Sequence, residues 1–205
     1  MSNLQHIIIT RCNFTNDDLF NKYFDVMKST YIPSINSQTN KNFTVALIIN
    51  SKHFDEVKNQ FDKEIKVISF NSREEYKEYV VQNKITIQTR HDCDDLMLPN
   101  YIEFIQNTAT KNMNSLNDFI ITFQPTKLDF ASGKEYTHSR DYSKVCSMFS
   151  TLIQNNVKNS VMDVMHDHLS RLTRNIIYIK ETYVKLVLHG NNTLSKLNPN
   201  DKLIK

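Results

Sequence analysis

The sequence predicts an α/β fold, with a mostly parallel central sheet flanked by helices and a smaller mixed C-terminal part. Apolar strand patterns alternate with helical patterns through residues 1–110, which is typical of parallel strands joined by crossover helices. The chain has 205 residues, of which 40% are hydrophobic. This length and composition suit one globular domain with a core of useful size.

The first half of the chain alternates predicted strands with predicted helices. Four apolar runs rich in β-branched residues predict strands at 6–10, 43–50, 65–70 and 85–88. Helical spacing of apolar residues and helix-start signals predict helices at 17–32, 53–62, 73–82 and 99–109. Asn16 or Asp17 is placed to cap the first helix, and Pro33 is placed to end it. Ser72 and Glu75 have the spacing of a capping box before the third helix.

After residue 110 the pattern changes, and this change predicts the mixed C-terminal part. The predicted strands there are 118–124, 176–179 and 183–188, and the predicted helices are 144–154 and 160–172. Residues 125–143 are polar and irregular around Gly133. No low-complexity linker divides the chain, so residues 1–205 are expected to form a single domain.

Composition excludes several classes of protein. The net charge of +3 is small and the basic residues are dispersed, so no nucleic-acid partner is expected. No apolar run approaches the length of a membrane span, and the N-terminus does not have the pattern of a signal peptide. Three widely spaced cysteines indicate no disulfide framework, and the expected location is the cytoplasm. With only two glycines, the chain has no P-loop and no GxGxxG turn.

The stretch ITIQTRHDCDDLMLP, residues 85–99, places three aspartates within four positions at the end of a predicted strand. In an extended backbone, Asp92 and Asp94 face the same side, and two such carboxylates repel each other unless a cation relieves them. Mg²⁺ or Mn²⁺ accepts one or two carboxylates and takes its other ligands from water and phosphate oxygens. Arg90 could add charge compensation for a diphosphate. In open α/β sheets, ligands bind beyond the carboxyl ends of the strands. The acidic stretch directly follows a predicted strand and therefore lies where such a ligand would bind.

Two alternatives remain open for the acidic stretch. It could be an ordinary surface turn in which Asp95 caps the helix that follows. It could also be the D-x-D of a HAD-type phosphatase, with Asp92 as the nucleophile. That pattern usually has Thr or Val soon afterwards, whereas Asp95 and Leu96 follow here.

Four blocks of the chain resemble the rhamnosyltransferase-like glycosyltransferases, in the order found in that family. The blocks are HIIITRCNF (6–14), YIPSINSQTNKNFTVALIIN (31–50), ITIQTRHDCDDLMLPNYIEFIQ (85–106) and YVKLVLHGNN (183–192). The resemblance implies a GT-A-like fold, with a nucleotide-binding half at 1–110 and an acceptor half at 111–205. It implies a metal-dependent hexosyltransferase that uses a nucleotide-sugar donor and a glycan or other hydroxyl acceptor. His91, Cys93 and the absence of tryptophan depart from the family pattern.

The resemblance also implies which residues form the site. The nucleotide-sugar residues would be Thr10, Arg11, Asn50, Arg90, Asp92 and Asp95. The ligands of Mn²⁺ or Mg²⁺ would be Asp92, Asp94 and His189, and neutral imidazole suits Mn²⁺ better than Mg²⁺. The alternatives are a surface charge for Arg11 and ordinary strand-end residues for Thr10 and Asn50.

An inverting transfer needs a carboxylate that takes the proton of the acceptor. Asp163 and Asp167 are the candidates, because they are four residues apart and would share one face of the predicted helix 160–172. A solvated polar face is the alternative for this pair. The polar segment 125–143 is expected to border the acceptor. A degenerate, non-catalytic binding module is a further alternative for the whole chain.

Overall fold

The computed structural model describes residues 5–61, 65–82, 86–142, 146–190 and 196–204. The strands are β1 (His6–Cys12), β2 (Thr44–Ile49), β3 (Ile65–Ser69), β4 (Ile87–Asp92), β5 (Leu96–Met97), β6 (Asp118–Phe123), β7 (Thr126–Asp129), β8 (Glu135–Thr137), β9 (Thr151–Gln154), β10 (Ile176–Ile179) and β11 (Val184–Leu188). The helices are α1 (Asp17–Ser29), α2 (Tyr31–Asn36), α3 (Ser51–Val57), α4 (Arg73–Gln82) and α5 (Tyr101–Asn112), followed by a 3-10 helix (His166–Arg171).

Within the described residues, the main sheet has seven strands in the order β10-β6-β9-β4-β1-β2-β3. Strands β3, β2, β1 and β4 run parallel, and only β9 runs antiparallel to both of its neighbours. The chain passes outward from β1 to β2 and β3, and then returns to place β4 on the other side of β1. This reversal makes a topological switch point, where a crevice opens beyond the carboxyl ends of β1 and β4.

A second sheet has the order β5-β11-β7-β8 in the described part of the chain. Strand β5 follows β4 after a short turn and pairs antiparallel with β11. The end of β11 is therefore held close to the carboxyl end of β4. Segment 196–204 lies along β8, where the N–H of Ile204 donates to the carbonyl of Glu135 at 2.9 Å.

Each face of the main sheet is covered by its own apolar cluster, because successive strand residues point to opposite faces. On one face, Ile8 and Leu47 pack with residues of α1, α2 and α5. On the other face, Ile7 and Ile48 pack with residues of α4 and of the 161–172 region. No helix in the described ranges has both the length and the apolar character needed to cross a membrane.

The structure confirms most of the predicted elements in the first half of the chain. Strand β4 is longer than predicted and extends to Asp92, since its buried polar side chains find partners. Gln88, for example, donates to the carbonyl of Asn159 at 2.9 Å and accepts from the N–H of Val161 at 3.0 Å. Pro33 does not end the first helix. It lies in the first turn of α2, where its missing N–H costs nothing.

Both predicted helices of the 144–172 region are wrong over the described residues. Residues 151–154 form the buried strand β9 between β4 and β6, where tertiary pairing overrides the local pattern. Just before it, the Ser147 N–H donates to the Thr122 hydroxyl at 2.8 Å, which diverts the backbone from a helix. Residues 160–164 form turns, and only a short 3-10 helix follows them. The segment predicted to be irregular, 125–143, contains β7 and β8.

Candidate functional site

The three aspartates lie in a tight turn that joins β4 to β5. Asp92 is the last residue of β4, and its carbonyl accepts a hydrogen bond from the N–H of Asp95 at 3.3 Å. The expected extended backbone is therefore replaced by a turn with Cys93 and Asp94 at its centre. Cys93 is buried, whereas the Asp92 and Asp94 side chains remain partly exposed at the carboxyl end of the sheet.

Asp94 contacts His189, a residue 95 positions further along the chain. The imidazole Nε2 donates to the Asp94 carboxylate over 3.1 Å, and the two side chains are 2% and 13% exposed respectively. His189 directly follows β11, and the ring of Tyr23 from α1 meets its imidazole edge-on at 5.1 Å between centroids. Three separate elements thus hold this acid–imidazole pair in place.

Asp95 is almost fully buried, and its carboxylate points towards β11. One carboxylate oxygen, Oδ1, accepts a hydrogen bond from the N–H of Val187 at 2.9 Å. Burial raises the pKa of Asp95 well above its ordinary value, and the negative charges of Asp94 and Asp92 raise it further. Asp95 does not cap α5, because that helix begins six residues later and its N-cap position is Asn100.

Strand β1 supplies the next two predicted residues, Thr10 and Arg11. Arg11 is exposed and stands opposite Asp92 in the parallel register of β1 and β4. Thr10 is fully buried, and its hydroxyl forms a 2.5 Å hydrogen bond with the hydroxyl of Tyr31. The Thr10 side chain is thus part of the core, and only its backbone could contribute to a ligand site.

Asn50 follows β2 and caps α3, since its side-chain oxygen accepts from the N–H of Lys52 at 3.1 Å. One turn later, the ring of His53 stacks on Phe20 at 3.8 Å between centroids, and its Nε2 lies 3.4 Å from an oxygen of Asp17. Sequence reasoning did not single out this group. The carboxyl end of β2 is next to that of β1, so Asn50 lies on the same edge of the sheet as Arg11.

The two residues that precede Asp92 face the interior. Arg90 is 8% exposed, and His91 is fully buried between the rings of Tyr31 and Phe149. Burial lowers the pKa of His91 to about 4, so the imidazole is neutral near pH 7. Its Nδ1–H donates to the carbonyl of Asp92 at 2.9 Å, which fixes the backbone where the acidic turn begins.

The prediction that Asp163 and Asp167 share a helix face is wrong. Asp163 lies in a turn, where its carboxylate accepts from the N–H of Ser160 at 3.0 Å and approaches Lys77 of α4 at 3.5 Å. It belongs to the face of the sheet that α4 covers, whereas His189 contacts α1 on the opposite face. The described contacts of Asp163 are with Ser160 and Lys77, and the Asp167 side chain lies outside the described part of the structure, so the role of either carboxylate as the base stays a prediction.

The chemistry of the donor set decides whether a divalent cation fits this turn. No cluster of three or more His, Cys, Asp or Glu side chains within the described ranges is arranged to hold a metal ion. Asp94 and His189 nevertheless offer two donors in direct contact, and Asp92 stands two residues away in the same turn. Mg²⁺ and Mn²⁺ commonly take one or two protein ligands and complete their shells with water and phosphate oxygens. The residues present fit that mode of binding.

Comparisons with known proteins identify the fold. No family model matches the chain, and no curated protein sequence matches it. Solved structures of TarS from S. aureus are similar in fold. One TarS structure has a TM-score of 0.57 at 8% identity, with 90% of this chain and 36% of that chain covered. TarS 1–349 in complex with UDP-GlcNAc has a TM-score of 0.56 at 9% identity, with 95% and 62% covered. Its UDP complex has a TM-score of 0.57 at 7% identity, with 90% and 60% covered.

At these identities the similarity shows the fold alone. It confirms the predicted class, a GT-A-like α/β fold with a mostly parallel sheet flanked by helices. It does not show membership of the rhamnosyltransferase-like family, which the sequence blocks resemble. The chain spans between 36% and 62% of the length of these TarS structures.

Proposed function

We propose that the chain is a glycosyltransferase that moves a sugar from a nucleoside diphosphate sugar to an acceptor hydroxyl. The contact between Asp94 and His189 is the main support, because it stands at the switch-point crevice of a GT-A-like sheet. TarS, which shares this fold, was crystallised with UDP and with UDP-GlcNAc. This supports uridine diphosphate as the first nucleotide to test here.

Asp92, Asp94 and His189 are the residues that would hold Mn²⁺ or Mg²⁺. A cation at this position would offset the negative charge that develops on the leaving diphosphate. His189 favours Mn²⁺, since imidazole is a poorer ligand for Mg²⁺. Tyr23 and the end of β11 fix the imidazole in position, so a cation that replaces the Nε2 proton between His189 and Asp94 would need little movement of the ring.

Positive charge for the diphosphate would come first from Arg11, which is exposed and stands opposite Asp92 in the register of β1 and β4. Arg90, two residues before Asp92 on β4, is 8% exposed and would act through its charge from the interior rather than by direct contact. Asn50 and the backbone of Thr10, at the ends of β2 and β1, would border the base and ribose. The acceptor would approach past the loops of 125–142, on the side of the second sheet.

Thermal unfolding with UDP, GDP and dTDP, each with and without Mn²⁺, tests this function. A ligand at a hundred times its Kd stabilises the native state by about 2.7 kcal/mol. For a chain of this size, that raises the Tm by roughly 5–10 °C. The expected result is a shift with one diphosphate that requires Mn²⁺, and its absence with every pair would contradict the proposal. A shift with dTDP alone would favour the narrower rhamnosyltransferase-like assignment.

The Asp94→Ala variant links the shift to the acidic turn. It is expected to keep the Tm of the free protein within a few degrees and to lose the Mn²⁺-dependent shift, because Asp94 is partly exposed. The matched control is Asp55→Ala on α3, whose side chain is 88% exposed. Hydrolysis of the bound nucleotide-sugar and transfer to added glycans then separate an enzyme from a binding module. Binding without any turnover would support the degenerate module.

A further inference from the structure

Asp95 provides a link between the acidic turn and β11. The β5–β11 ladder pairs Val184 with Met97 and Lys185 with Leu96. Two residues further along β11, the acceptor for the Val187 N–H is the side chain of Asp95, at 2.9 Å. The described main-chain pairing of β5 with β11 reaches Lys185, and the Asp95 carboxylate continues the contact with β11 as far as Val187.

The position of this hydrogen bond matters because of the residues on each side of it. Asp95 directly follows Asp94, and Val187 stands two residues before His189. The bond thus joins the two segments whose side chains meet in the 3.1 Å contact between Asp94 and His189. Both of its partners are buried, so water does not compete with it.

We infer that Asp95 is a positioning residue, which holds the acidic turn against β11 so that Asp94 and His189 can act together on a cation–diphosphate ligand. This inference rests on the proposed function and differs from the sequence-based expectation that Asp95 touches the nucleotide-sugar. Asp95 is 3% exposed and its Oδ1 is directed at Val187, whereas Asp94 is directed at His189. The inferred role depends on a hydrogen-bond acceptor at position 95 and does not depend on a negative charge there.

Substitutions at position 95 separate these two roles. Asp95→Asn keeps an oxygen that can accept from the Val187 N–H but removes the charge. Asp95→Leu has a similar size and removes the acceptor, and it keeps the site filled in case Asp95→Ala fails to fold. Asp55→Ala, exposed on α3, is the matched control. The readouts are the Kd of UDP in the presence of Mn²⁺, measured by calorimetry, and the stability to urea.

The expected result is a Kd for the Asn variant close to that of the unsubstituted protein. The Leu variant should bind UDP and Mn²⁺ about tenfold more weakly, the equivalent of one buried hydrogen bond. If Asn weakens binding as much as Leu, the charge of Asp95 contacts the ligand and the inference is overturned. If Leu binds as tightly as the unsubstituted protein, the link has no role in positioning, and the inference is overturned again.

A measurement without nucleotide distinguishes failure of this inference from failure of the proposed function. Long-range ¹H–¹⁵N spectra of histidine report the protonation and tautomer of each ring, and the chemical shift of His189 Nε2 is sensitive to its hydrogen bond with Asp94. The Leu variant should shift this resonance, and the Asn and Asp55→Ala variants should leave it in place. If UDP does not bind the unsubstituted protein, the proposed function fails, and these spectra still decide whether Asp95 positions the pair. An unchanged His189 resonance in the Leu variant would overturn the positioning role.

Discussion

Loss of the Lys127 ammonium is expected to destabilise the second sheet severely. Lys127 extends from β7 with its side chain 2% exposed, and its Nζ donates to the Asp201 carboxylate at 2.8 Å. It also donates to the carbonyl of Lys196 at 2.6 Å. The Asp201 side chain is 1% exposed and accepts from the N–H groups of Asn198 at 2.7 Å and Ser139 at 2.9 Å. This pair anchors segment 196–204 to the sheet that contains β11.

The magnitude follows from the burial of both charges. Removing one partner of a buried ion pair leaves an uncompensated charge and costs about 3–5 kcal/mol. Lys127→Met should therefore lower the free energy of unfolding by that amount, and the Tm by roughly 10 °C for a chain of this length. The double variant Lys127→Met, Asp201→Asn should recover part of the loss. It removes both charges, and the single Asn oxygen can still accept from one of the two backbone N–H groups that now donate to the two carboxylate oxygens.

The dependence of stability on pH provides a second readout of the same pair. Burial opposes ionisation of Asp201, but hydrogen bonds from Lys127, Asn198 and Ser139 outweigh burial and hold the pKa of this carboxyl below its ordinary value. The contribution of Asp201 to the free energy of unfolding is therefore fully present above about pH 4, which is close to the pKa of Asp in an unfolded chain. This contribution is lost as the pH falls below that value. The Asp201→Asn variant should lose less stability than the unsubstituted protein over this acid range.

Urea denaturation followed by circular dichroism measures these free energies, with Asp55→Ala as the exposed control. If Lys127→Met lowers the free energy of unfolding by less than about 1 kcal/mol, the reasoning is refuted, because an exposed ion pair contributes no more than that. A double variant no more stable than Lys127→Met would also refute it, since the cost would then not come from the unpaired charge of Asp201.

Three further predictions concern the core and one turn. Thr10→Val should cost about 1–3 kcal/mol, since it leaves the buried hydroxyl of Tyr31 without its 2.5 Å partner. In urea denaturation, the double variant Thr10→Val, Tyr31→Phe should lose less free energy of unfolding than the two single variants lose in total. Burial lowers the pKa of His6 to about 3, whereas an unfolded His binds a proton below about pH 6.5. Stability should therefore fall as the pH is lowered between these values, and less steeply in His6→Gln. Gly133→Ala should cost about 1–2 kcal/mol from the left-handed backbone alone, since φ is +67° and no atom lies within 4 Å of the added methyl position.

Each of these predictions has an outcome that would contradict it. Strict additivity of Thr10→Val and Tyr31→Phe would mean that the two hydroxyls do not interact. A His6→Gln variant with the same acid sensitivity as the unsubstituted protein would assign the pH dependence to other groups, such as His91. Gly133→Asn should cost less than Gly133→Ala, because Asn tolerates a positive φ, and equal costs would point to a cause other than backbone strain.

The local pattern predicted the strands and helices of residues 1–110 well. Strands β1 and β2 contain continuous apolar runs that are buried on both faces of a parallel sheet, and such runs leave a strong signal in the sequence. The acidic stretch was correctly placed at the carboxyl end of β4, because a strand pattern directly precedes it. The contact of His189 with Asp94 had no such local signal. It followed from a resemblance between sequence blocks, since the two residues are 95 positions apart.

The C-terminal half was predicted less well because its elements depend on distant partners. Thr151–Gln154 become a strand only because β4 and β6 leave a gap that an antiparallel neighbour can fill. Asp163 appeared to lie on a helix face, yet its carboxylate caps a turn and lies beside Lys77. Hydroxyl side chains such as Ser147 bond to distant groups, which a pattern read along the chain does not show.

By itself, the sequence determined the fold class, the approximate positions of the first four strands along the chain and the position of the acidic turn. These depend on periodicity, β-branched runs and punctuation between elements, and each of those signals lies within a few residues. Only the tertiary structure decided the turn's geometry, the burial of Asp95 and its bond to Val187, and the place of Asp163 in a turn beside Lys77. The reason is physical: burial and long-range hydrogen bonds arise when distant segments pack, and no local pattern encodes which partner a side chain will meet.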